Sequence, residues 1–298
     1  MDLRSLEIFY WVTQLGGFRR AAEKLNTTQP AVSARIAQLE DQFKTKLLDR
    51  DRRRVSLTPK GMELLAFTTR MLALRTEMVM AVTDASALRG VVRLGLSETI
   101  VHTWLSQLVK RLHSLYPQIT LEISVDVSAN LRDALIAGEL DIALLLGPIS
   151  APLVKNLPLC EYPIAWVASP ELPLGDEPLT LAELARWPII TYSRTTRPYM
   201  QLMELFNRAD LPPVRVFGNS SLSSIVRMIL DGIGISAIPP ATIPEELRSG
   251  KLRVLRSHTN LPALVFTASY VDTPDNALSA VVANLAQKVA EQFGAGSL

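Results

Sequence analysis

The chain has 298 residues, enough for two or three domains of ordinary size. With 48% hydrophobic and 20% charged residues it is too apolar to be disordered, and its single cysteine, Cys160, excludes an internal disulfide and any multi-cysteine zinc site. The formal net charge of +2 hides an asymmetry, because residues 1–60 carry +5 and the rest of the chain −3. A polyanionic partner is therefore expected for the amino-terminal end alone, although a solvated basic face without a partner would give the same charge. The opening MDLRSLEIFYWVTQLGG holds Asp2 and Glu7 within its apolar stretch and does not read as a signal peptide. Apolar runs such as Ile142 to Leu146 are far shorter than the ~18 residues that cross a bilayer, so a cytoplasmic protein with no membrane partner is expected.

Three helical patterns precede residue 45. The first, Leu3 to Leu15, puts Leu3, Leu6, Phe9, Tyr10 and Thr13 at helical spacing and stops at Gly16-Gly17. The second, Phe18 to Leu25, carries the small pair Ala21-Ala22, which lets another helix cross closely. Asn26-Thr27 reads as a tight turn, because Asn tolerates the left-handed conformation. Thr28 is placed to cap a third helix, with Pro30 in its first turn, where a missing N–H is harmless. Val32, Ile36, Leu39 and Phe43 then form the expected buried stripe of that helix. Gln29, Ala31, Ser33, Ala34, Arg35 and Gln38 are left to face outward or flank it. Those types suit a major groove, since amide and guanidinium groups read base edges and Ala contacts a thymine methyl.

Residues 47–59, LLDRDRRRVSLTP, place Arg50, Arg52, Arg53 and Arg54 on a short turn between apolar segments, which reads as a β-wing whose arginines hold phosphates. Residues 18–61 as a whole, FRRAAEKLNTTQPAVSARIAQLEDQFKTKLLDRDRRRVSLTPKG, resemble the winged helix-turn-helix of the LysR-type transcriptional regulators. The elements AAEKLNTTQPAVS, RIAQLED and LLDRDRRRVSLTPKG stand in that family's order. The resemblance implies DNA contacts by Arg19, Thr28, Gln29, Pro30, Ala31, Ser33, Ala34, Arg35, Gln38 and the four wing arginines. Arg19-Arg20 depart from the family's usual serine or small residues, which bears on phosphate contacts rather than on the fold.

Thr58-Pro59 is again a cap followed by a first-turn proline, and no breaker except Gly61 follows before about Leu88. A helix of about thirty residues, roughly 45 Å long, is expected, ended by Gly90. Its stripe of Leu64, Leu65, Thr68, Met71, Leu72, Arg75, Met78, Val79 and Val82 suits contact with a second copy, although packing on its own core is the plainer alternative. The corresponding helix of LysR-type proteins makes the dimer, so the resemblance implies a homodimer or homotetramer.

Residues 91–298 alternate strand and helix, which points to an α/β fold with largely parallel sheets. A pseudo-repeat is visible: VRLGLSETIVHTWLSQLVKRLHSLYP and LEISVDVSANLRDALIAGELDIALLLGP find counterparts in IITYSRTTRPYMQLMELFNRADLPP and VRVFGNSSLSSIVRMILDGIGISAIPP. Two such lobes imply a cleft at the carboxyl ends of their strands, and the layout resembles the type 2 periplasmic-binding-protein fold in which LysR-type regulators sense effectors. The expected architecture is α/β with a helical amino-terminal domain. It comprises a winged helix-turn-helix (1–58), a linker helix (59–89) and a two-lobed effector domain (90–298). Lobe 1 is expected at about 90–162 plus 268–298, and lobe 2 at about 163–267.

The loops that open helices supply the candidate effector residues: Ser97, Thr99, Ser128, Ser193, Arg194, Thr195, Thr196, Arg197 and Ser221. Free N–H groups and hydroxyls at helix N-termini bind anions without a metal, and Arg194 and Arg197 suit a carboxylate or sulfonate. Ordinary capping is the plainer reading of any one Ser or Thr among them. No enzyme is expected, and no cofactor. Gly95-Leu96-Ser97-Glu98-Thr99 lacks the last glycine of a nucleophile elbow. Gly232-Ile233-Gly234 follows a helix and precedes a strand, the reverse of a dinucleotide loop. His102 and His113, read as sharing one helical face, have no further ligands at metal spacing. Cys160 reads as a small apolar residue at a strand edge. The expected function is a DNA-binding regulator answering to a small anion, a carboxylate above all, with RNA polymerase as a further partner. A solute-binding module of a transport or sensing system is the alternative, which the complete wing motif opposes.

Overall fold

The computed structural model describes residues 2–49, 55–82, 87–273 and 276–296. The chain divides into two compact units, Met1–Asp84 with Thr273–Ala277 and Ala85–Asp272 with Leu278–Leu298.

In the first unit α1 (Leu3–Gln14) packs against α2 (Phe18–Lys24), α3 (Gln29–Phe43) and α4 (Pro59–Val82). Asp2 caps α1 by accepting from the Ser5 N–H at 2.7 Å. Leu6, Phe9 and Tyr10 are buried as their spacing predicts, while Leu3 in the first turn is exposed. Ile8, Trp11 and Val12 are buried too, because α1 has helices on three sides. Asn26 adopts φ 49° in the turn between α2 and α3. Thr28 then caps α3, accepting from Ala31 N–H at 3.4 Å.

Helix α3 buries Val32, Ile36 and Leu39, but the fourth expected position, Phe43, is exposed and Glu40 is buried in its stead. The reason lies just past the helix. Lys44 turns the chain at φ 49°, and Leu47 and Leu48 enter the core at this end. The Glu40 carboxylate accepts from the N–H groups of Leu47 and Leu48 at 2.8 and 3.2 Å and pairs with Lys46 at 3.3 Å. Burial alone would raise the Glu40 pKa, but the two N–H donors and the ammonium outweigh it and hold the carboxyl below its ordinary range.

The wing stem is a two-stranded pair, β1 (Leu48–Asp49) with β2 (Ser56–Leu57), in which Leu48 faces Leu57. The expected phosphate contacts Arg50, Arg52, Arg53 and Arg54 lie outside the described residues. Thr58 donates its N–H to the Leu47 carbonyl at 3.0 Å, and its hydroxyl accepts from Gly61 N–H at 3.0 Å. A Cβ on Gly61 would come within 2.1 Å of the Leu47 carbonyl oxygen, so glycine is what lets α4 begin this close to the stem.

The single apolar stripe expected on α4 is two faces. Leu64, Leu65, Thr68 and Leu72 pack into or against the core of their own unit. Phe67, Met71, Leu74, Met78 and Val82 make a separate exposed stripe, spaced 4, 3, 4 and 4, and the Val79 side chain lies outside the described set. The described span of α4 has 24 residues, about 36 Å, and residues 83–86, which the expected thirty-residue helix would include, lie outside the described residues. Gly90 does not end it, because Gly90 already belongs to a strand.

The second unit runs β3 (Arg89–Leu96), α5 (Glu98–Val101), α6 (Leu105–Leu115), β4 (Gln118–Val125), α7 (Ser128–Ala137), β5 (Ile142–Leu146) and β6 (Val154–Tyr162). It continues through β7 (Ala165–Ala168), α8 (Leu181–Leu184), β8 (Ile189–Tyr192), α9 (Arg197–Phe206), β9 (Val216–Asn219) and α10 (Leu222–Leu230). Then come β10 (Ile235–Ile238), α11 (Pro244–Arg248) and β11 (Arg253–Leu255), and the chain returns by β12 (Leu264–Val271) to α12 (Ala277–Gly296). Two five-stranded sheets result, ordered β4-β3-β5-β12-β6 and β9-β8-β10-β7-β11. The repeat read from the sequence is visible as β4-β3-β5 against β9-β8-β10.

The sheets are mixed rather than largely parallel. Within each, the first three strands are parallel and the last two run against their neighbours. Those last strands carry the chain between lobes, β6 into β7 on the way out and β11 into β12 on the way back. The return falls at Leu264, which pairs with Tyr162, and so precedes the expected 268. Side chains alternate across each sheet, as strand geometry requires. Ile142 and Leu144 join the layer of α6 and α12, whereas Ala143 and Leu145 join Leu131 and Leu135 of α7. Ile189 and Ile190 divide in the same way between the layers of α9 and α10. Helices α5 and α6 are separate, so His102 and His113 do not share a helical face. Cys160 lies on β6, the edge strand of its sheet.

Glu40→Gln, which keeps the shape and removes the charge, is expected to lower the stability of the first unit by ~1–3 kcal/mol at neutral pH. Because the native pKa lies below the unfolded value near 4.5, the advantage of Glu40 is full above that pH and fades as the pH falls through the native value. Calorimetric melts of parent and variant from pH 7 to pH 3.5 should therefore converge on the acid side.

Candidate nucleic-acid interface and ligand cleft

On α3 and its cap, Thr28, Gln29, Pro30, Ala31, Ala34, Arg35 and Gln38 are all exposed, and Ser33 is half-buried beside them. Arg35 pairs with Asp2 at 3.3 Å, the same carboxylate that caps α1, and Arg19 on α2 pairs with Glu23 at 3.0 Å. Exposed pairs of this kind are worth at most about 1 kcal/mol, so either guanidinium can exchange its partner for a phosphate at small cost.

In the second unit a cleft of about 580 Å³ opens between the two sheets, at the carboxyl ends of β3, β4, β5 and β8. The first lobe lines it with Ser97, Glu98 and Thr99, with Asp126 to Ala129 and Arg132, with Gly147 to Ile149, and with Leu264 and Phe266 of β12. The second lobe contributes Tyr192, Thr195 to Pro198, Met200 and Ser220. Gly147 is needed where it stands, since a Cβ there would meet the Thr267 hydroxyl oxygen at 1.9 Å.

The polar atoms of the cleft differ in what they already bind. Asp126 accepts from Val127 N–H and from the Asn130 amide at 2.6 and 3.0 Å, and the Ser128 hydroxyl accepts from Leu146 N–H at 3.1 Å. No side chain caps α7. Thr196 caps α9, accepting from Tyr199 N–H at 3.4 Å and donating to the Ser193 carbonyl at 2.7 Å. Arg132 pairs with Asp133 at 2.8 Å. Glu98 reaches across to the second lobe and accepts from the Ser221 hydroxyl at 3.2 Å and from Leu222 N–H. Arg197, in the first turn of α9, has no hydrogen bond or ion pair among the described residues. The Ser97 and Tyr192 hydroxyls are buried without a partner in hydrogen-bonding geometry. Burial pushes the Tyr192 pKa well above the usual phenol range; the Thr99 hydroxyl opposes this and the Glu98 charge adds to it, so Tyr192 stays a neutral donor.

Two family models cover nearly all of this chain. Residues 3–62 match the bacterial regulatory helix-turn-helix protein of the lysR family, and residues 85–293 match the LysR substrate binding domain. The chain belongs to the LysR family of transcriptional regulators. This LysR-type protein is 27% identical over 259 residues to the HTH-type transcriptional regulator GltR of Bacillus subtilis, covering 87% of this chain and 86% of that one. It is 30% identical over 258 residues to a probable hydrogen peroxide-inducible genes activator of Streptomyces viridosporus, covering 84% and 82%. A full-length OxyR variant from Pseudomonas aeruginosa shares the fold at TM-score 0.59 and 23% identity, over 97% of this chain and 99% of that one. ArgP from Mycobacterium tuberculosis does so at 0.58 and 21%, over 97% of each chain. The regulator is thus a DNA-binding protein with a substrate-binding domain, and its relatives are regulators, not enzymes. Among the described residues no helix is long and apolar enough to cross a membrane.

Of the effector residues expected from the sequence, Ser97, Thr99, Ser128, Thr195, Thr196 and Arg197 line the cleft. Ser193 and Arg194 do not; they border a separate surface depression with Phe217 and Asn219. The β8–α9 loop is long enough to have two sides, and only its later residues turn inward. Ser221 caps α10 and binds Glu98 instead of lining the cleft. Sequence reasoning missed Glu98, Asp126, Arg132 and Tyr192, together with the apolar wall of Met200, Leu264 and Phe266. Tyr192 and Asp126 each stand directly at a strand end before a Ser-bearing turn, and that placement was a usable signal. Nothing local marks Leu264 and Phe266, which come to the cleft only because the chain crosses back there.

Gly147→Ala is expected to destabilise the second unit by ~1–3 kcal/mol through overpacking against Thr267, which is buried. Calorimetry should show the loss in the transition of that unit, with the melting of the first unit unchanged.

Proposed function

We propose that this LysR-type regulator binds promoter DNA as a homodimer or homotetramer, and that a small carboxylate-bearing effector in the cleft adjusts the binding. Thr28, Gln29, Pro30, Ala31, Ser33, Ala34, Arg35 and Gln38 would meet base edges and the nearby backbone, with Arg19 and the wing arginines on phosphates. The exposed stripe Phe67, Met71, Leu74, Met78 and Val82 has the spacing of a helix seam, and a second copy of α4 is the partner it suits. Two-fold proteins favour two-fold sites, so the operator would be an interrupted palindrome. The place of action that follows is the cytoplasm, beside promoter DNA and RNA polymerase.

The observation that carries the effector reading is the unpaired Arg197. Among the described residues four charged side chains line the cleft, and Glu98, Asp126 and Arg132 are each engaged by protein groups. Arg197 is left with its charge unanswered, on the cleft that the uncapped start of α7 also lines. A carboxylate suits the guanidinium and the free N–H groups of α7, while Ile149, Met200, Leu264 and Phe266 would take an apolar body. An effector that binds one closure of the cleft better than another shifts the population toward it. The coupling is reciprocal, so DNA favouring the same closure would raise effector affinity. A thiol-based response to hydrogen peroxide, the compound in the name of the Streptomyces viridosporus relative, suits this chain less well. Its one cysteine, Cys160, has its thiol pKa pushed up by burial, the opposite of a reactive thiolate.

Titrating a fragment from upstream of the protein's own gene should show a steep salt dependence, and neutral replacements of the wing arginines should flatten log affinity against log salt by about 0.9 for each phosphate no longer neutralised. Binding that survived Ser33→Ala and Arg35→Ala together with neutral residues at all four wing positions would overturn the DNA assignment of these residues. In a thermal-shift panel of small carboxylates, aromatic acids, amino acids and inorganic anions, at least one anion should stabilise the second unit. Arg197→Ala should weaken that anion about 10-fold or more, the scale of one charge-assisted hydrogen bond. A panel in which no anion stabilises the protein would sink the effector reading.

A further inference from the structure

Helix α10 is nine residues long, and its N-terminus holds a carboxylate that comes from the other lobe. Glu98 is the first residue of α5, yet neither of its oxygens caps that short helix. One accepts from the Ser221 hydroxyl at 3.2 Å and the other from the first N–H of α10, at Leu222. One turn further on, His102 Nε2 lies 3.1 Å from the Ser223 hydroxyl oxygen, a second polar contact between the lobes along the same line. Glu98 and Tyr192 both line the cleft, and the Glu98 charge acts on the Tyr192 phenol without a hydrogen bond between them. A helix N-terminus and its capping hydroxyl together hold a carboxylate, and here the chain supplies it from the other lobe.

We infer that Glu98 is a tethered ligand: its carboxylate occupies a carboxylate-binding subsite at the start of α10, and by doing so ties the two lobes together. The inference rests on the effector reading and deepens it, because it adds a second anion position at the edge of the cleft, where Glu98 leaves the lining for α10, and says that it is already taken. Arg197 serves an incoming acid, whereas the α10 position is closed to a second one unless Glu98 leaves. The wild-type cleft therefore selects effectors with a single acidic group, and a diacid has to displace Glu98 and release the tie between the lobes as it binds.

The test is chemical rescue in the full-length protein, with formate as the probe and chloride as the ionic-strength control. Glu98→Ala is expected to melt below the parent, and about 100 mM formate should raise its melting temperature by about 2–4 °C with saturating dose dependence, as a site-bound ligand does. The parent should gain less than about a third of that rise at the same formate concentration. Glu98→Gln, which keeps the shape and a partial acceptor, should show a smaller loss and a smaller rescue. The double variant Glu98→Ala with Arg197→Ala separates the two anion positions. Rescue that persists there places formate at α10 even if Arg197 proves to bind nothing. Rescue that disappears with Arg197, or a formate response equal in the parent and Glu98→Ala, would overturn the inference.

Discussion

The backbone of Leu47 and Leu48 is the point through which the three parts of the amino-terminal unit hold one another. Their N–H groups are taken by Glu40 from the end of α3, and the Leu47 carbonyl is taken by Thr58 at the start of α4. Their side chains are buried in the core. The partners come from α3 on one side and from the start of α4 on the other, so the reading helix, the wing stem and the long helix cannot shift independently without leaving a buried polar group unpaired. That cost is large compared with any one surface contact. It explains why a charged residue occupies a core position of α3, and why Gly61 is confined to a backbone approach that any Cβ would block.

The second unit handles charge differently. Its sheets bury apolar side chains on both faces, and the polar groups of the cleft stand where strands finish and helices begin. Several are satisfied locally, by capping or by neighbouring donors. On the cleft, Arg197 has no partner among the described residues, and the buried Ser97 and Tyr192 hydroxyls have none in hydrogen-bonding geometry; elsewhere in the unit the same holds of Trp104, Trp166 and Ser236, inside the cores. What sets Arg197 apart from these is its full charge, which no group of the protein answers among the described residues.

The sequence carried the local architecture well. Helix starts at Thr28 and Pro59, the left-handed Asn26, the wing stem and the repeated strand order all follow from short-range chemistry visible along the chain. Contacts between distant segments were not legible. Phe43 has the right spacing for the core, but Leu47 and Leu48 take that end of it. The stripe on α4 reads as one face because periodicity cannot say which of two neighbours each residue meets. The cleft followed the same division. Hydroxyls at helix starts were found, whereas Glu98 was passed over because its meaning depends on a helix more than a hundred residues away. The antiparallel strands were missed for a related reason, since direction in a sheet depends on where the chain is going next.

Those crossing strands carry one more consequence. Tyr162 and Leu264, the last residue before the second lobe and the first after it, stand opposite each other in a single ladder, about 5 Å apart. Everything between them is an insert whose two ends nearly touch, hung from a sheet that is complete without it. Such a segment can be exchanged as a cassette, or remodelled over generations, while the host sheet keeps its register. A lineage of these proteins can thus change one wall of the cleft while leaving the helix-turn-helix untouched.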